Sequence, residues 1–292
     1  RHTMQGMSKK SKDAFEDSFT VSAKVGKTEV VMGLKQKAPK GLGYIEDKDD
    51  ARDFSTKALF GARRTVLSEV TDLEGCVPLI ADQGSTGSCV GQAIGGAIDT
   101  RLRKTGRWTA PLTSRQAIYT IGRALDRFAP KEPLVDDGTR PRMAMKGLKQ
   151  WGVPTEVKWP FDESKINDEL PWDVLQEASA NIVTAWWRIP SLGKERIEDM
   201  CQALGNGYPI VFGVKIDEAF QELSGPKPVE GFDKKALVGG HMMFVVGYKT
   251  VNGVRIFRCV NSWGTGWGDK GFFNANESMF REASDLYVIQ VG

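Results

Sequence analysis

The stretch ADQGSTGSCVGQA, residues 81–93, places Cys89 between a loop of small turn-forming residues and a predicted helix. From Val90 the apolar positions recur every four residues, through Ile94 and Ile98, which predicts a helix of about four turns with one buried face. Such a cysteine is a nucleophile, a metal ligand, half of a disulfide or a small core residue. Unpaired backbone N–H groups at a helix N-terminus favour the thiolate, which is the nucleophilic form.

The composition is that of an ordinary folded protein and argues against several classes of function. The chain has 292 residues, of which 40% are hydrophobic and 26% charged, and its net charge is +3. So weak a charge predicts no binding to nucleic acid or to an anionic membrane surface. Every apolar run is shorter than the roughly 18 residues of a membrane-spanning helix, so we expect no membrane contact. The cysteines form no C-x-x-C pair and match no zinc pattern, so we expect no metal site.

The second candidate for chemistry is His241. The other histidine, His2, lies in the starting residues RHTM, which resemble an expression tag, so His241 is the one native imidazole available as a base near neutral pH. It begins the run HMMFVVGY, which is followed by Asn252-Gly253, the strongest short signal for a two-residue hairpin turn. In the resulting register, one bulge brings Asn261 beside His241. The side-chain oxygen of Asn261 would then fix the orientation and tautomer of the imidazole.

The remaining pattern predicts an α+β chain in three parts. Residues 1–64 are charged and weakly periodic, and we interpret them as an N-terminal leader. Residues 65–180 are predicted to form a helical lobe that carries the cysteine. Residues 181–292 are predicted to form a β-rich lobe that carries the histidine and the asparagine.

Several local elements follow from the same pattern. Residues 20–32 are expected to form a short hairpin around Gly26. Residues 113–125 and 142–152 are predicted helices, the second ended by its last residue, a glycine. The runs YPIVFGVKI, HMMFVVGY and VRIFRCV are predicted strands.

The motifs around these residues resemble those of the papain-like cysteine proteases. QGSTGSC at residues 83–89 keeps the family's Gln-Gly-…-Gly-Ser-Cys spacing, and HMMFVVGY is similar to its histidine strand. NSWGTGWGDKGFF at 261–273 matches the family's Asn-Ser-Trp-Gly-x-x-Trp-Gly run. The separation between the cysteine and the histidine is near the roughly 130–150 residues of the family. The resemblance covers roughly residues 65–292, and the sequence around the motifs is similar to bacterial or phage-type branches of the family.

This resemblance implies a thiol protease with a two-lobe fold: a helical left lobe, an antiparallel β-barrel-like right lobe and the active site between them. It implies that Cys89 attacks a peptide carbonyl, that His241 carries the proton and that Asn261 orients His241. Gln83 is expected to stabilise the oxyanion, and Trp263 to shield the hydrogen bond between histidine and asparagine from water. The family chemistry needs no metal or organic cofactor. The expected partner is a peptide or protein substrate, and the sequence indicates no oligomeric state.

The resemblance also implies a set of substrate-binding positions. Gly138 and Thr139 are expected to pair with the backbone of an extended substrate. Pro141, Gly240 and Met242 are expected to line an apolar pocket for the side chain two positions before the scissile bond. Such a pocket would prefer leucine, valine or an aromatic side chain.

The chain departs from the family pattern in its disulfides. Thr86 stands where most members carry a disulfide-forming cysteine, and no cysteine lies between Cys89 and Cys201. This favours a reducing, cytoplasmic compartment and leaves secretion open. Val90 replaces the aromatic residue that commonly follows the nucleophile, a change expected to affect packing more than chemistry.

The leader also differs from the long helical propeptide of plant and lysosomal members. We expect part of residues 10–50 to cover or enter the cleft and lower activity, as in a zymogen. Gly41 and Gly43 would give this part a flexible turn, and Tyr44 an aromatic anchor. A wrap over the protein surface is the alternative.

Two other functions stay open at this point. One is a Cys–His amidase that acts on cell-wall peptide or glutamine side chains, although such families usually lack the NSWG run. The other is a catalytically silent papain-fold binding protein, against which the four intact site residues argue.

Overall fold

The computed structural model describes residues 20–25, 28–33, 40–61, 67–107, 112–127, 132–179 and 183–292. It contains two units, Arg1–Pro39 and Lys40–Gly292. In the first unit, strands β1 (Thr20–Val25) and β2 (Thr28–Gly33) pair antiparallel, which confirms the hairpin predicted there. Gly26, at the centre of that prediction, lies outside the described residues.

The helices of the second unit include the three predicted after Cys89, at 113–125 and at 142–152. In chain order they are α1 (Thr56–Phe60), α2 (Cys89–Lys104), α3 (Arg115–Asp126), α4 (Pro141–Trp151), α5 (Trp172–Ala178), α6 (Gly193–Gly205) and α7 (Glu218–Gln221). Short 3-10 turns lie at Glu74–Cys76, Glu163–Lys165 and Glu277–Arg281. Gly152 ends α4 with φ 101°, a left-handed conformation that favours glycine and stops the helix. No helix in the described part of the chain is long and apolar enough to cross a membrane.

The strands of the second unit form one antiparallel sheet. They are β3 (Val70–Asp72), β4 (Val183–Arg188), β5 (Ile210–Asp217), β6 (Leu237–Val251), β7 (Val254–Val260), β8 (Phe272–Asn276) and β9 (Ser284–Val291). The strand order is β4-β9-β5-β6-β7-β8, and β3 pairs with β6. The three predicted strands correspond to β5, β6 and β7. The α+β architecture, with helices preceding most of an antiparallel sheet, is therefore confirmed.

The β6–β7 hairpin has the predicted turn and the predicted bulge. Asn252 and Gly253 both have positive φ, 52° and 79°, as a tight two-residue turn requires. The register shifts by one residue between Val245 and Gly247. This bulge carries the end of β7 toward the start of β6 and so brings Asn261 to His241.

Helix α2 is more buried than its sequence pattern predicts. Residues 89–100 are all buried, whereas the pattern indicated one buried face. Glycines on the other faces explain the difference. A Cβ at Gly91 would lie 2.3 Å from the backbone oxygen of Arg115 on α3, and one at Gly96 would lie 2.6 Å from the ring of Phe244 on β6. The helix is thus held between the helical layer and the sheet, with its N-terminus at their junction.

Candidate active site

Cys89 is the first residue of α2 and is fully buried. Burial raises the pKa of its thiol to about 11, and the backbone N–H groups of Met242, Gly43 and Val90 oppose that rise. The sequence argument from the helix N-terminus predicted the opposite direction. The reason for the difference is that the sulfur is shielded from water, which disfavours the thiolate more than the helix favours it. The contact with the Met242 N–H places the sulfur beside the His241–Met242 peptide.

His241 is held by a short hydrogen bond and an aromatic stack. Its Nε2 atom is 2.7 Å from Asn261 Oδ1, and its ring stacks on Trp263 with centroids 4.5 Å apart. Trp263 is itself only 2% exposed, so water does not reach the histidine–asparagine bond from that side. Burial lowers the pKa of His241 to about 4, while the bond to Asn261 opposes this shift. Its Nδ1 atom is buried and has no hydrogen-bond partner within the described ranges, which leaves that nitrogen free for Cys89.

Gln83 is oriented from several sides. Its Oε1 atom accepts a hydrogen bond from Ser262 Oγ over 2.6 Å, and its Nε2 donates to the Thr86 oxygen over 2.8 Å. The same Nε2 donates to the backbone oxygen of Gly41 over 3.1 Å. Thr86 also closes the loop by donating from its hydroxyl to the Gln83 backbone oxygen. The side-chain amide expected in the oxyanion role therefore holds a carbonyl of this chain.

That carbonyl belongs to a stretch of the leader that runs through the cleft, here called the cleft segment (residues 41–47). The Gly43 oxygen accepts from the Thr139 N–H over 2.9 Å, and the Ile45 N–H donates back to the Thr139 oxygen over 3.2 Å. The Tyr44 N–H donates to the Gly240 oxygen over 3.2 Å. Thr139 is a position at which an extended substrate was expected to pair, and Gly240 was expected to line the neighbouring pocket.

The segment fits the cleft only because of its glycines. A Cβ at Gly41 would lie 1.9 Å from the Thr86 oxygen, and one at Gly43 would lie 1.9 Å from the Gly87 oxygen. On the opposite wall, a Cβ at Gly138, whose φ is 91°, would lie 2.2 Å from the Gly43 oxygen. The other two predicted cleft residues lie nearby in sequence: Pro141 begins α4, and Met242 shares the sheet face of Gly240.

A buried polar cluster that the sequence did not indicate holds the end of the segment. Asp47 Oδ2 accepts hydrogen bonds from Tyr287 Oη and from the Arg142 N–H, and the Asp47 N–H donates to Asp285 Oδ2 over 2.6 Å. Burial raises the pKa of Asp47 to about 7, the neighbouring Asp285 adds to the rise and Arg142 opposes it. Since Asp47 and Asp285 are 238 residues apart, no local signal points to their contact.

In the part of the chain that the structure describes, no set of metal ligands accompanies this site. All four cysteines are free thiols, and only Cys76 among them is partly exposed. Within the described ranges, no group of three histidine, cysteine, aspartate or glutamate side chains is placed to hold a metal ion.

Comparison with known proteins identifies the fold and the family. The sequence profile of papain family cysteine proteases matches residues 68–285. A peptidase C1-like protein of Acanthamoeba polyphaga mimivirus is 29% identical over 281 residues, which cover 86% of this chain and 87% of the viral protein. Among solved structures, xylellain, a cysteine protease from Xylella fastidiosa, superposes with a TM-score of 0.73 and 26% identity. That superposition covers 89% of this chain and 99% of xylellain.

More distant relatives are longer proteins. A cathepsin L-like proteinase of Fasciola hepatica is 23% identical over 201 residues, which are 68% of this chain and 56% of that protein. The chain thus spans little more than half the length of this animal relative. The matched region begins after the cleft segment, so the segment lies outside the part of the chain that the family profile describes.

Proposed function

This chain belongs to the papain family of cysteine proteases, and we propose that it hydrolyses peptide bonds with Cys89 as nucleophile and His241 as proton carrier. Asn261 orients the imidazole through the 2.7 Å bond to Nε2. Gln83 and the backbone N–H of Cys89 stabilise the oxyanion. The substrates are peptides or proteins that bind in extended form along Thr139.

The reaction has two halves. The Cys89 sulfur attacks the carbonyl carbon of the peptide, and the proton held by His241 goes to the departing amine. The acyl half of the substrate remains as a thioester on the sulfur. A water molecule then gives a proton to His241 and its oxygen to the acyl carbon, which breaks the thioester and restores the thiolate–imidazolium pair.

The observation that carries this proposal is the hydrogen bond from the Gln83 amide to the Gly41 carbonyl, two residues before Gly43, whose N–H contacts the Cys89 sulfur. A backbone carbonyl at this position is the group on which the proposed chemistry acts. The hydrogen bonds of Thr139 and Gly240 to the same segment support an extended peptide as the occupant of the cleft.

We further propose that the leader keeps the enzyme latent and that the cleft segment is its inhibitory part. The segment pairs with Thr139, where a substrate backbone was expected, and Cys89 and His241 are both fully buried while it is in place. In this state the thiol and the imidazole are neutral, because burial raises the pKa of the one and lowers that of the other. When the segment leaves, water enters and the pair is free to form thiolate and imidazolium.

A thiol-directed titration tests the proposed function. An opened variant of the 292-residue chain combines Gly41→Val, Gly43→Val and Tyr44→Ala, none of which alters the matched family region. An epoxide-type cysteine inhibitor is expected to abolish peptide hydrolysis by this variant at one equivalent per chain, with the label on Cys89. Full labelling of Cys89 without loss of hydrolysis, or hydrolysis that the reagent stops by labelling Cys76 instead, would rule out the assignment.

Substitution of the supporting residues should give graded losses. Gln83→Ala in the opened variant is expected to lower kcat by roughly 10²–10³-fold, the typical effect of removing one oxyanion donor. Asn261→Ala should cost less than loss of the nucleophile, because packing against Trp263 keeps part of the orientation of His241. Steady-state kinetics on one peptide measure both effects. Wild-type kcat/KM in both variants would contradict these roles.

Latency should weaken as the pH rises. The docked segment holds Asp47 with a pKa of about 7, against an ordinary value of 3.8, so docking takes up a proton between these values. Asp285 contributes to the pH dependence of docking in the same direction, because burial raises its pKa as well. Docking is therefore most favourable below about pH 4 and is progressively lost as the pH rises toward about 7.

The measurement is the ratio of kcat/KM between the opened variant and the wild type at several pH values. This ratio is expected to fall as the pH rises from about 5 to about 8. Asp47→Asn mimics the protonated side chain and should make the ratio much less dependent on pH. A ratio that rises with pH would contradict the predicted weakening of latency at higher pH.

A further inference from the structure

The side chain of Tyr44 lies in a pocket whose walls are bare backbone. An added Cβ at Gly213 would lie 2.0 Å from Tyr44 Cζ, and one at Gly240 would lie 3.1 Å from Tyr44 Cδ1. Gly213 on β5 pairs with Met242 on β6, so Gly213, Gly240 and Met242 share one face of the sheet. The pocket has room for an aromatic ring because both strands carry glycine where the ring lies.

The end of this pocket is polar. The Tyr44 hydroxyl donates to Asp285 Oδ2 over 2.7 Å, and its oxygen is 2.8 Å from Ser284 Oγ. Asp285 is 1% exposed and has φ 51°, a left-handed conformation that is uncommon for residues other than glycine. It lies beside the register shift between β5 and β9. The fold thus places a buried carboxylate within hydrogen-bonding distance of a phenol hydroxyl.

The charges at this end favour a neutral donor over a cation. Arg188 Nη2 is 3.5 Å from Asp285 Oδ1, so the carboxylate already has a positive partner. The other oxygen, Oδ2, accepts hydrogen bonds from the Tyr44 hydroxyl and the Asp47 N–H. An entering lysine or arginine would meet the guanidinium of Arg188. An entering phenylalanine would leave Asp285 and Ser284 short of a hydrogen-bond partner in a buried place.

We propose that Asp285, together with Ser284, makes this pocket select tyrosine in a substrate once the cleft segment has left. The inference rests on the proposed function, because the pocket borders the cleft in which the substrate would bind. It refines the apolar preference expected from sequence, since glycines form the pocket walls while a carboxylate and a hydroxyl form the pocket end. A site that hydrogen-bonds a substrate hydroxyl discriminates strongly, because an analogue without the hydroxyl leaves buried polar groups unpaired.

The test uses peptides that differ only in tyrosine, phenylalanine, leucine or arginine two positions before the scissile bond. In the opened variant, kcat/KM for the tyrosine peptide is expected to exceed that for the phenylalanine peptide by about 10²-fold. Asp285→Gly permits the positive φ and removes the carboxylate, so this ratio should fall to about one. Asp285→Asn keeps an acceptor and should retain part of the ratio. A ratio near one before substitution, or a preference for arginine, would overturn the inference.

Lys270→Gly is the matched control, because Lys270 also has a positive φ, 56°, and is exposed. The control should keep the tyrosine preference, and a preference that persists in Asp285→Gly would remove Asp285 from this role.

Binding separates this inference from the proposed function. If the opened variant cleaves none of the peptides, the proposed function fails. The same peptides are then titrated by calorimetry against the opened variant carrying Cys89→Ser. Binding of the tyrosine peptide at least about tenfold more tightly than the phenylalanine peptide supports the inference. Equal or undetectable binding overturns it.

Discussion

Cys89→Ser and His241→Ala, each placed in the opened variant, are expected to reduce peptide hydrolysis by roughly 10⁴-fold or more. The cysteine variant loses the thiolate nucleophile. The histidine variant loses the imidazole that is proposed to carry the proton. The reduction in rate in the double variant should be much smaller than the product of the two single reductions, because both residues serve one reaction step. Initial rates on a fluorogenic peptide measure the effect.

The control for these variants is Cys259→Ser, which changes another fully buried free cysteine, on β7. It should leave kcat/KM near that of the opened variant if it folds, and circular dichroism reports folding for all three. A folded His241→Ala protein that hydrolyses peptide at the parental rate would refute the assignment of the dyad.

Release of the cleft segment is expected to raise kcat/KM by about 10³-fold. Burial of the Tyr44 ring contributes about 2 kcal/mol, and its hydrogen bond to a carboxylate contributes about 2 kcal/mol more. Together these are worth roughly a thousandfold in binding. The opened variant removes both contributions and adds clashes, because valine at position 41 or 43 would meet the backbone oxygen of Thr86 or Gly87. The comparison is kcat/KM of the opened variant against the wild-type chain.

Gly231→Val is the matched control for this prediction. Gly231 has no heavy atom within 4 Å of an added Cβ, apart from its chain neighbours, and its φ is not positive. The control should leave the wild-type rate unchanged. An opened variant no more active than the wild type, with Cys89 still unreactive, would show that the segment does not cause latency.

Local sequence patterns predicted the elements that carry the chemistry. The four-residue recurrence after Cys89 predicted α2, and Asn252-Gly253 predicted the hairpin turn, because both depend on residues close in sequence. The bulge that brings Asn261 to His241 was also anticipated, because the regular register alone leaves them apart.

Features that depend on contacts between residues far apart in the chain could not be predicted from the sequence. The raised pKa of Cys89 follows from its burial, and the Gly43 backbone that contacts its sulfur lies more than forty residues upstream, so no pattern around the cysteine encodes this environment. The polar end of the Tyr44 pocket depends on Asp285, 241 residues away. The glycines at 41 and 43 were interpreted as a flexible turn, whereas the structure uses them for close approach to the cleft wall.

The central claim is that Cys89 becomes a reactive thiolate beside His241 once the cleft segment leaves. The most direct measurement is the rate of Cys89 alkylation by iodoacetamide in the opened variant, followed by peptide mass spectrometry from about pH 4 to about pH 9. With His241 present, the rate is expected to stay high down to about pH 5, because the imidazolium stabilises the thiolate. With His241→Ala, it should rise only near the ordinary thiol pKa of about 8.5. Identical pH profiles in the two proteins would contradict the account.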